Sequence, residues 1–142
     1  MKGFERMKNH KEDEILVEVL EKAKKEGKIT GEDMAKLYSI FGKRFLKAWN
    51  ALQEKKVKKY IFNPSRRVVW IVVGKERDYL ILPAAEFCTC DDFYFRVIDQ
   101  EIHMCYHLIA QKIAEALNWF DQIEESDELY ETLMKEWAKI IT

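Results

Sequence analysis

The chain has 142 residues, of which 48% are hydrophobic and 13% aromatic, and its formal net charge is −1. This composition predicts about one compact domain and excludes a chain that is disordered throughout. The longest apolar run, residues 68–73, is far too short to cross a membrane, and the charged N-terminus carries no secretory signal. We therefore expect a cytosolic or nuclear protein, with the cytoplasm as the default and no membrane partner.

The first half of the chain has the apolar periodicity of three helices. Residues 13–26 repeat apolar side chains every three or four positions and end in lysines before Gly27. Thr30 is an N-cap residue type and predicts a second helix, which Gly42 ends. A third helix is predicted over residues 43–54. Its inward positions are Phe45, Leu46, Trp49 and Leu52.

Beyond residue 56 the period changes to that of strands. Residues 57–62, 68–73 and 79–82 are rich in β-branched or aromatic side chains and are separated by turns. Three helices followed by an antiparallel meander are the element order of a winged helix, in which the third helix would read DNA. A helical layer covering a small sheet is the alternative, because bulky Tyr38 lies where a helix-turn-helix has a small residue.

All three cysteines fall in one window with the pattern Cys88-x-Cys90 … Cys105-x-His107. Three thiols and one imidazole are the ligand set of a closed, tetrahedral structural zinc site. Residues two apart in an extended segment share a face, so Cys88 and Cys90 can reach one ion. Cys105 must then precede a helix, with His107 in its first turn. In a reducing compartment this cluster predicts one structural Zn²⁺ rather than disulfides.

Alternatives to this ligand set remain open from the sequence. His103 also lies two residues from Cys105 and competes with His107 as the fourth ligand. A second alternative is three buried cysteines without metal and a histidine on the surface. Because no phosphate-binding glycine-rich motif, nucleophile elbow or open metal pattern is present, we do not expect an enzyme.

Two helices complete the predicted chain: one spans residues 107–120, and Ser126 caps the last. The fold class is therefore α+β, with N-terminal helices, a small antiparallel sheet of winged-helix-like order, the zinc finger leading into a helix, and a C-terminal helix. One compact unit is expected, in three parts. These are a helical, winged-helix-like part (1–66), the zinc finger (67–120) and the C-terminal helix (121–142).

The cysteine motif resembles a SWIM zinc finger, with which it shares Cys88-Thr89-Cys90-Asp91-Asp92-Phe93 and, downstream, Cys105-Tyr106-His107. Residues 93–97 are similar to the Phe-x-Phe-x-Val segment in the SWIM subunit of the eukaryotic Shu recombination complex. Weaker similarities lie upstream, at Phe41-Gly42, residues 64–68 and Val73-Gly74. This chain has Tyr106 where that family usually has lysine, and Asp91 where proline is common. Neither position is a ligand.

The resemblance implies a non-catalytic accessory factor of homologous recombination and DNA repair, which binds a paralogue of the RecA-family recombinases. The charge pattern adds that residues 43–67 contain nine basic residues and one acid, interleaved with aromatic side chains. Such a stretch suits DNA, single-stranded DNA in particular. The alternative is a solvated basic face. The candidate DNA contacts are Lys43, Arg44, Lys47, Lys55, Lys56, Lys58, Lys59, Arg66 and Arg67.

The last helix has an apolar stripe that is either core or a protein-binding surface. Its members are Tyr130, Leu133, Met134, Trp137, Ile140 and Ile141. The helix docks on its own domain, binds a partner helix, or pairs two copies of the chain as a homodimer. A protein–protein scaffold without DNA contact and a winged-helix transcription regulator are therefore alternative functions.

Overall fold

The computed structural model describes residues 2–90 and 104–138, with side chains from residue 11 onward. Within these ranges, short 3₁₀ turns cover Pro83–Ala85 and Asp127–Leu129. The α+β class is confirmed, and the predicted helices and strands occur in the expected order, although the structure adds two strands that were not predicted. The elements are α1 (Lys2–Glu26), α2 (Gly31–Phe41), α3 (Lys43–Gln53), β1 (Val57–Asn63), β2 (Arg67–Val73), β3 (Asp78–Leu82), β4 (Phe87–Cys88), α4 (Tyr106–Leu117), β5 (Asp121–Ser126) and α5 (Tyr130–Trp137).

The helix ends follow from local chemistry. The Thr30 hydroxyl accepts a hydrogen bond from the Asp33 amide at 3.2 Å, as an N-cap does. Gly42 has a φ of +59°, which glycine adopts without strain, and it joins α2 directly to α3. Helix α1 begins at Lys2 rather than at residue 13. The added residues, 2–12, were not predicted to be helical because they show no regular spacing of apolar side chains.

Five strands form one mixed sheet in the order β4-β3-β2-β1-β5. Strands β1 to β3 form the predicted antiparallel meander, with Tyr60 opposite Val69 and Trp70 opposite Ile81. The two-residue strand β4, which was not predicted, pairs antiparallel with β3. Strand β5 was not predicted, and it runs parallel to β1 at the sheet edge. Its sequence is almost entirely polar, as is common for edge strands, where charges discourage pairing with other chains.

The unpredicted strand shortens the helix before it. Helix α4 ends at Leu117 rather than at residue 120, and Asn118 takes a left-handed conformation with φ +58° as its C-cap. Trp119 and Phe120 then lead into β5. The C-terminal part therefore begins with a strand. Ser126 is a cap as predicted, because its hydroxyl accepts a hydrogen bond from the Glu128 amide at 3.2 Å, although a 3₁₀ turn precedes α5.

The sheet has a hydrophobic core on each face. Helices α1 to α4 supply the larger core, to which β2 contributes Trp70 and Val72. The smaller core lies on the other face, where β2 contributes Val69 and Ile71. The continuous apolar run of β2 is thus that of a strand buried on both faces. Leu46 of α3 was predicted to point inward but is 47% exposed.

The apolar stripe of α5 packs on the chain's own sheet. Trp137 is 5% exposed and meets the Tyr60 ring edge-on at 4.7 Å, and Tyr130 meets Phe62 at 5.1 Å. Leu133 and Met134 pack against the same core. The predicted partner-binding residues Tyr130, Leu133, Met134 and Trp137 therefore serve the chain's own core here. Ile140 and Ile141 lie outside the described residues.

Within residues 2–90 and 104–138, no helix combines the length and the apolar character that a membrane span needs.

Replacing Trp137 with alanine should lower the free energy of unfolding by about 3–5 kcal/mol, because it removes a buried ring from the smaller core. Leu129→Ala is the control, since Leu129 is 44% exposed just before α5 and should cost less than about 0.5 kcal/mol. Urea denaturation followed by circular dichroism measures both variants. A cost for Trp137→Ala no larger than the control would contradict the core role of α5.

Candidate metal centre

Four side chains of ligand type meet between the sheet and the start of α4. One ligand atom from each of Cys88, Cys90, Cys105 and His107 lies within 4.8 Å of the other three. That span suits a single ion about 2.0–2.3 Å from each donor. The three cysteines are free and buried, and His107 is 4% exposed. The alternative of a surface histidine is therefore wrong, and the competing His103 lies outside the described residues.

The end of the meander positions the first pair of cysteines. Cys88 ends β4, and the next residue, Thr89, is pinned to β3. The Thr89 amide donates to the Leu80 carbonyl at 3.1 Å, and the Leu80 amide donates to the Thr89 hydroxyl at 3.0 Å. The Arg77 guanidinium donates to the Thr89 carbonyl at 2.8 Å. These bonds fix the residue between Cys88 and Cys90.

The start of α4 positions the other two donors. Cys105 is the N-cap residue in an extended conformation, and its carbonyl accepts a hydrogen bond from the Ile109 amide at 3.2 Å. His107 lies in the first turn of the helix, as predicted. The Tyr106 and Tyr79 rings contact the imidazole, with centroids at 3.9 and 4.3 Å. Burial raises the pKa of Tyr106 to about 12, so its hydroxyl is uncharged at neutral pH.

Arg44 supports this second half from a distance. Its guanidinium donates to the carbonyl of Met104 at 2.7 Å, directly before Cys105, and lies 3.5 Å from the buried carboxylate of Glu12. Only 16% of the Arg44 side chain is exposed. These contacts tie α1 and α3 to the metal-site backbone, and the predicted DNA contact of Arg44 stays a prediction. No local sequence pattern indicates this role, because Arg44 and Met104 are 60 positions apart.

The residues present fit a bound metal ion. Both ring nitrogens of His107 are buried, and neither has a hydrogen-bond partner among the described residues. A buried polar group without a partner costs free energy, and a metal–nitrogen bond would satisfy one of the two nitrogens. Three thiol sulfurs and one imidazole nitrogen are also the donors that zinc prefers.

The electrostatics of the four-residue cluster also favour a bound cation. The pKa of Cys90 lies far below the ordinary thiol value, because hydrogen bonds from Cys105 and Cys88 stabilise its thiolate. The pKa of Cys88 lies far above it, because of its hydrogen bonds with Cys105 and Cys90 and its burial. Three buried thiolates would repel one another, and a divalent cation would offset two of their charges. The positive end of the α4 dipole would reduce the remaining charge.

The predicted DNA-contact residues do not form one free basic face. Lys58, Arg66 and Arg67 form ion pairs with acidic residues of β5 and of the turn after it. Surface pairs of this kind contribute about 0–1 kcal/mol each to the stability of a fold. This neutralisation was not foreseen, because β5 was not predicted. The pairs are Lys58–Asp121, Arg66–Glu124 at 3.1 Å and Arg67–Asp127 at 3.6 Å.

The remaining basic residues differ in their surroundings. The Lys56 ammonium pairs with the Glu54 carboxylate at 2.7 Å. Lys59 lies 5.5 Å from the centroid of the Trp70 ring, and Lys47 lies 5.8 Å from that of Tyr106. Lys43 and Lys55 are exposed. DNA contact by any member of the stretch stays a prediction.

Comparison with known proteins agrees with the motif. The chain is 26% identical over 119 residues to the Zinc finger SWIM domain-containing protein 7 homolog of Dictyostelium discoideum, covering 82% of this chain and 76% of that protein. It is 28% identical over 131 residues to Zinc finger SWIM domain-containing protein 7 of Mus musculus, covering 90% and 86%. An uncharacterized protein of Archaeoglobus fulgidus is 36% identical over 84 residues, covering 59% and 65%. No family model matches the chain.

The predicted resemblance to SWIM-type zinc finger proteins is confirmed by two of these relatives. Together with the buried cluster of three cysteines and one histidine, it supports a zinc-binding protein. The narrower resemblance to the Shu subunit stays a prediction, and residues 93–97 lie outside the described residues.

Arg44→Ala should lower the free energy of unfolding by about 3–5 kcal/mol, because it leaves the buried Glu12 carboxylate without this partner and frees the Met104 carbonyl. Lys43→Ala, one residue earlier and exposed, is the matched control and should change stability by less than about 0.5 kcal/mol. Denaturation of the two zinc-loaded variants distinguishes these outcomes. Equal stability would mean that Arg44 does not support the site.

Proposed function

We propose that the chain is a zinc-stabilised, non-catalytic accessory factor of homologous recombination and DNA repair. It binds a paralogue of the RecA-family recombinases and contacts DNA beside it. The observation that carries the zinc part is the buried convergence of Cys88, Cys90, Cys105 and His107. The recombination part is supported by the resemblance of the motif to SWIM proteins and, more narrowly, to the Shu subunit.

The metal in this proposal has a structural role. One Zn²⁺ would be held by the three cysteine sulfurs and a ring nitrogen of His107, and it would supply a fixed tetrahedral cross-link. Four protein donors leave no coordination position for water or substrate. The chain's own residues do the positioning, with Thr89 fixed on β3 and Cys105 at the start of α4. The cross-link would hold the end of the sheet to α4.

An accessory role assigns the chemistry to the partner. Any ATP hydrolysis in the complex would belong to the recombinase-like protein, while this chain would supply binding surfaces. Its exposed cations, such as Lys43 and Lys55, can contact phosphates directly. Arg66 can do so by exchanging Glu124 for a phosphate, since an exposed pair is weak. Single-stranded DNA is the preferred form, because its bases are free to contact aromatic rings.

Protein purified without chelator should contain one zinc ion per chain by elemental analysis. His107→Ala should reduce the zinc content at least tenfold and destabilise the fold, because structural zinc contributes on the order of 10–16 kcal/mol in zinc-finger peptides. His103→Ala is the control and should keep one equivalent. If His103→Ala loses the metal and His107→Ala keeps it, the ligand assignment is wrong; if neither protein nor variants hold zinc, the zinc proposal fails.

The partner is identified by affinity capture from an extract of the native organism followed by mass spectrometry. The zinc-loaded chain should retain an ATPase with the RecA-type nucleotide-binding motif, and the purified chain alone should hydrolyse no ATP. Turnover by the purified chain would contradict the non-catalytic role. Capture without any such ATPase, combined with a defined motif selected from a random duplex library, would favour the transcription-regulator alternative.

A further inference from the structure

A solvent-exposed tryptophan marks the junction of α4 and β5. Trp119 is 48% exposed, and its ring contacts Trp49 with centroids 5.7 Å apart. The backbone beneath it is fixed, because the left-handed Asn118 ends α4 and the Trp119 amide donates to the Ala114 carbonyl at 2.8 Å. The large apolar ring is therefore held at the surface by a firm scaffold.

Trp119 lines a pocket of about 440 Å³ between the ends of α3 and α4. Volumes of about 300–1,000 Å³ are usual for ligand sites. The lining combines the aromatic rings of Trp119 and Phe120 with the side-chain amides of Gln53 and Asn118, which can form hydrogen bonds. The lining residues are Leu52, Gln53, Lys55, Asn118, Trp119, Phe120 and Asp121.

The charge around this pocket is positive. Lys55 lies in the lining and is exposed, and its ammonium attracts the Asp121 carboxylate without forming a close ion pair with it. The lining acid, Asp121, is paired with Lys58. Lys59 adds a third ammonium 5.6 Å from the centroid of the Phe120 ring. Three lysines therefore surround one carboxylate.

We infer that this pocket binds an unpaired nucleobase of a single-stranded nucleic acid, which stacks on Trp119 while Lys55 neutralises an adjacent phosphate. Every base has a flat face that an aromatic ring can stack on, whereas bases in a duplex are already stacked on each other. An apolar protein segment fits less well, because lysine and amide groups share the lining. This inference rests on the DNA contact of the proposed function and gives it a location and a strand type.

Fluorescence anisotropy with a labelled oligo(dT) strand tests the site on the full, zinc-loaded chain at several salt concentrations. Trp119→Ala should weaken binding about 5- to 150-fold, the usual loss for one stacked base, and Trp119→Phe should weaken it less. Val17→Ala is the control, because Val17 is an exposed apolar residue (52%) outside the pocket. It should leave affinity unchanged.

Lys55→Ala provides an independent readout that does not disturb packed rings. It should weaken binding and reduce the slope of log affinity against log salt by about 0.7, the value for one phosphate contact on a single strand. Zinc content and a melting curve for each variant show that it is folded. If Trp119→Ala proves unfolded, Trp119→Phe and Lys55→Ala decide the outcome.

Three results overturn the inference. If the chain binds single strands but the Trp119 and Lys55 variants bind equally well, the site is elsewhere and the proposed DNA contact stands. If no nucleic acid is bound at low salt, both fail, while capture of the recombinase tests the protein-binding proposal separately. If Trp119→Ala loses the captured ATPase but keeps single-strand affinity, the pocket binds protein.

Discussion

The free-energy cost of burying three cysteines and one histidine together is the constraint on which the rest of this structure depends. Their ligand atoms lie within 4.8 Å of one another, and all four residues are buried. Without a cation the thiols cannot all ionise, and the nitrogens of His107 have no hydrogen-bond partner among the described residues. A divalent ion would resolve both problems at once. Cys88 ends β4, Cys90 follows two residues later, and the other two donors lie at the start of α4. The same ion would therefore join the sheet to the helical layer.

The metal centre is built into the larger core rather than attached to it. That core contains Cys88, Cys90 and Cys105 together with Leu37 and Phe45 of the N-terminal helices. Arg44 extends the connection, since it bonds the backbone before Cys105 and pairs with Glu12 of α1. Loss of the metal would therefore affect the packing of the first three helices as well as the sheet. The predicted helical part and zinc-finger part share one interior.

Features encoded locally could be predicted from the sequence. The caps Thr30 and Ser126, the turn at Gly42 and the strand runs all depend on neighbours within a few residues. The ligand set was readable because its spacing reflects strand and helix geometry. Features that depend on distant residues were missed. Strand β5 has too few apolar side chains to show the alternation that predicts a strand. Its position beside β1 depends on pairing between residues about 63 positions apart. The roles of Arg44 and α5 likewise follow from tertiary contacts.

The missed strand also changes how the charge of the chain should be understood. Residues 43–67 are strongly basic in sequence, yet Lys58, Arg66 and Arg67 of that stretch lie against acids that arrive with β5 and the turn after it. Local neutralisation weakens the field that a polyanion would meet along β1. The balance differs beyond the end of α3, where Lys55 is exposed beside Trp119 and the nearby Asp121 already has Lys58 as its partner. A phosphate approaching that end would meet the exposed ammonium of Lys55, whose neighbouring carboxylate, Asp121, is hydrogen-bonded to Lys58. The fold therefore leaves an exposed ammonium beside an exposed aromatic ring, which a linear charge count does not reveal.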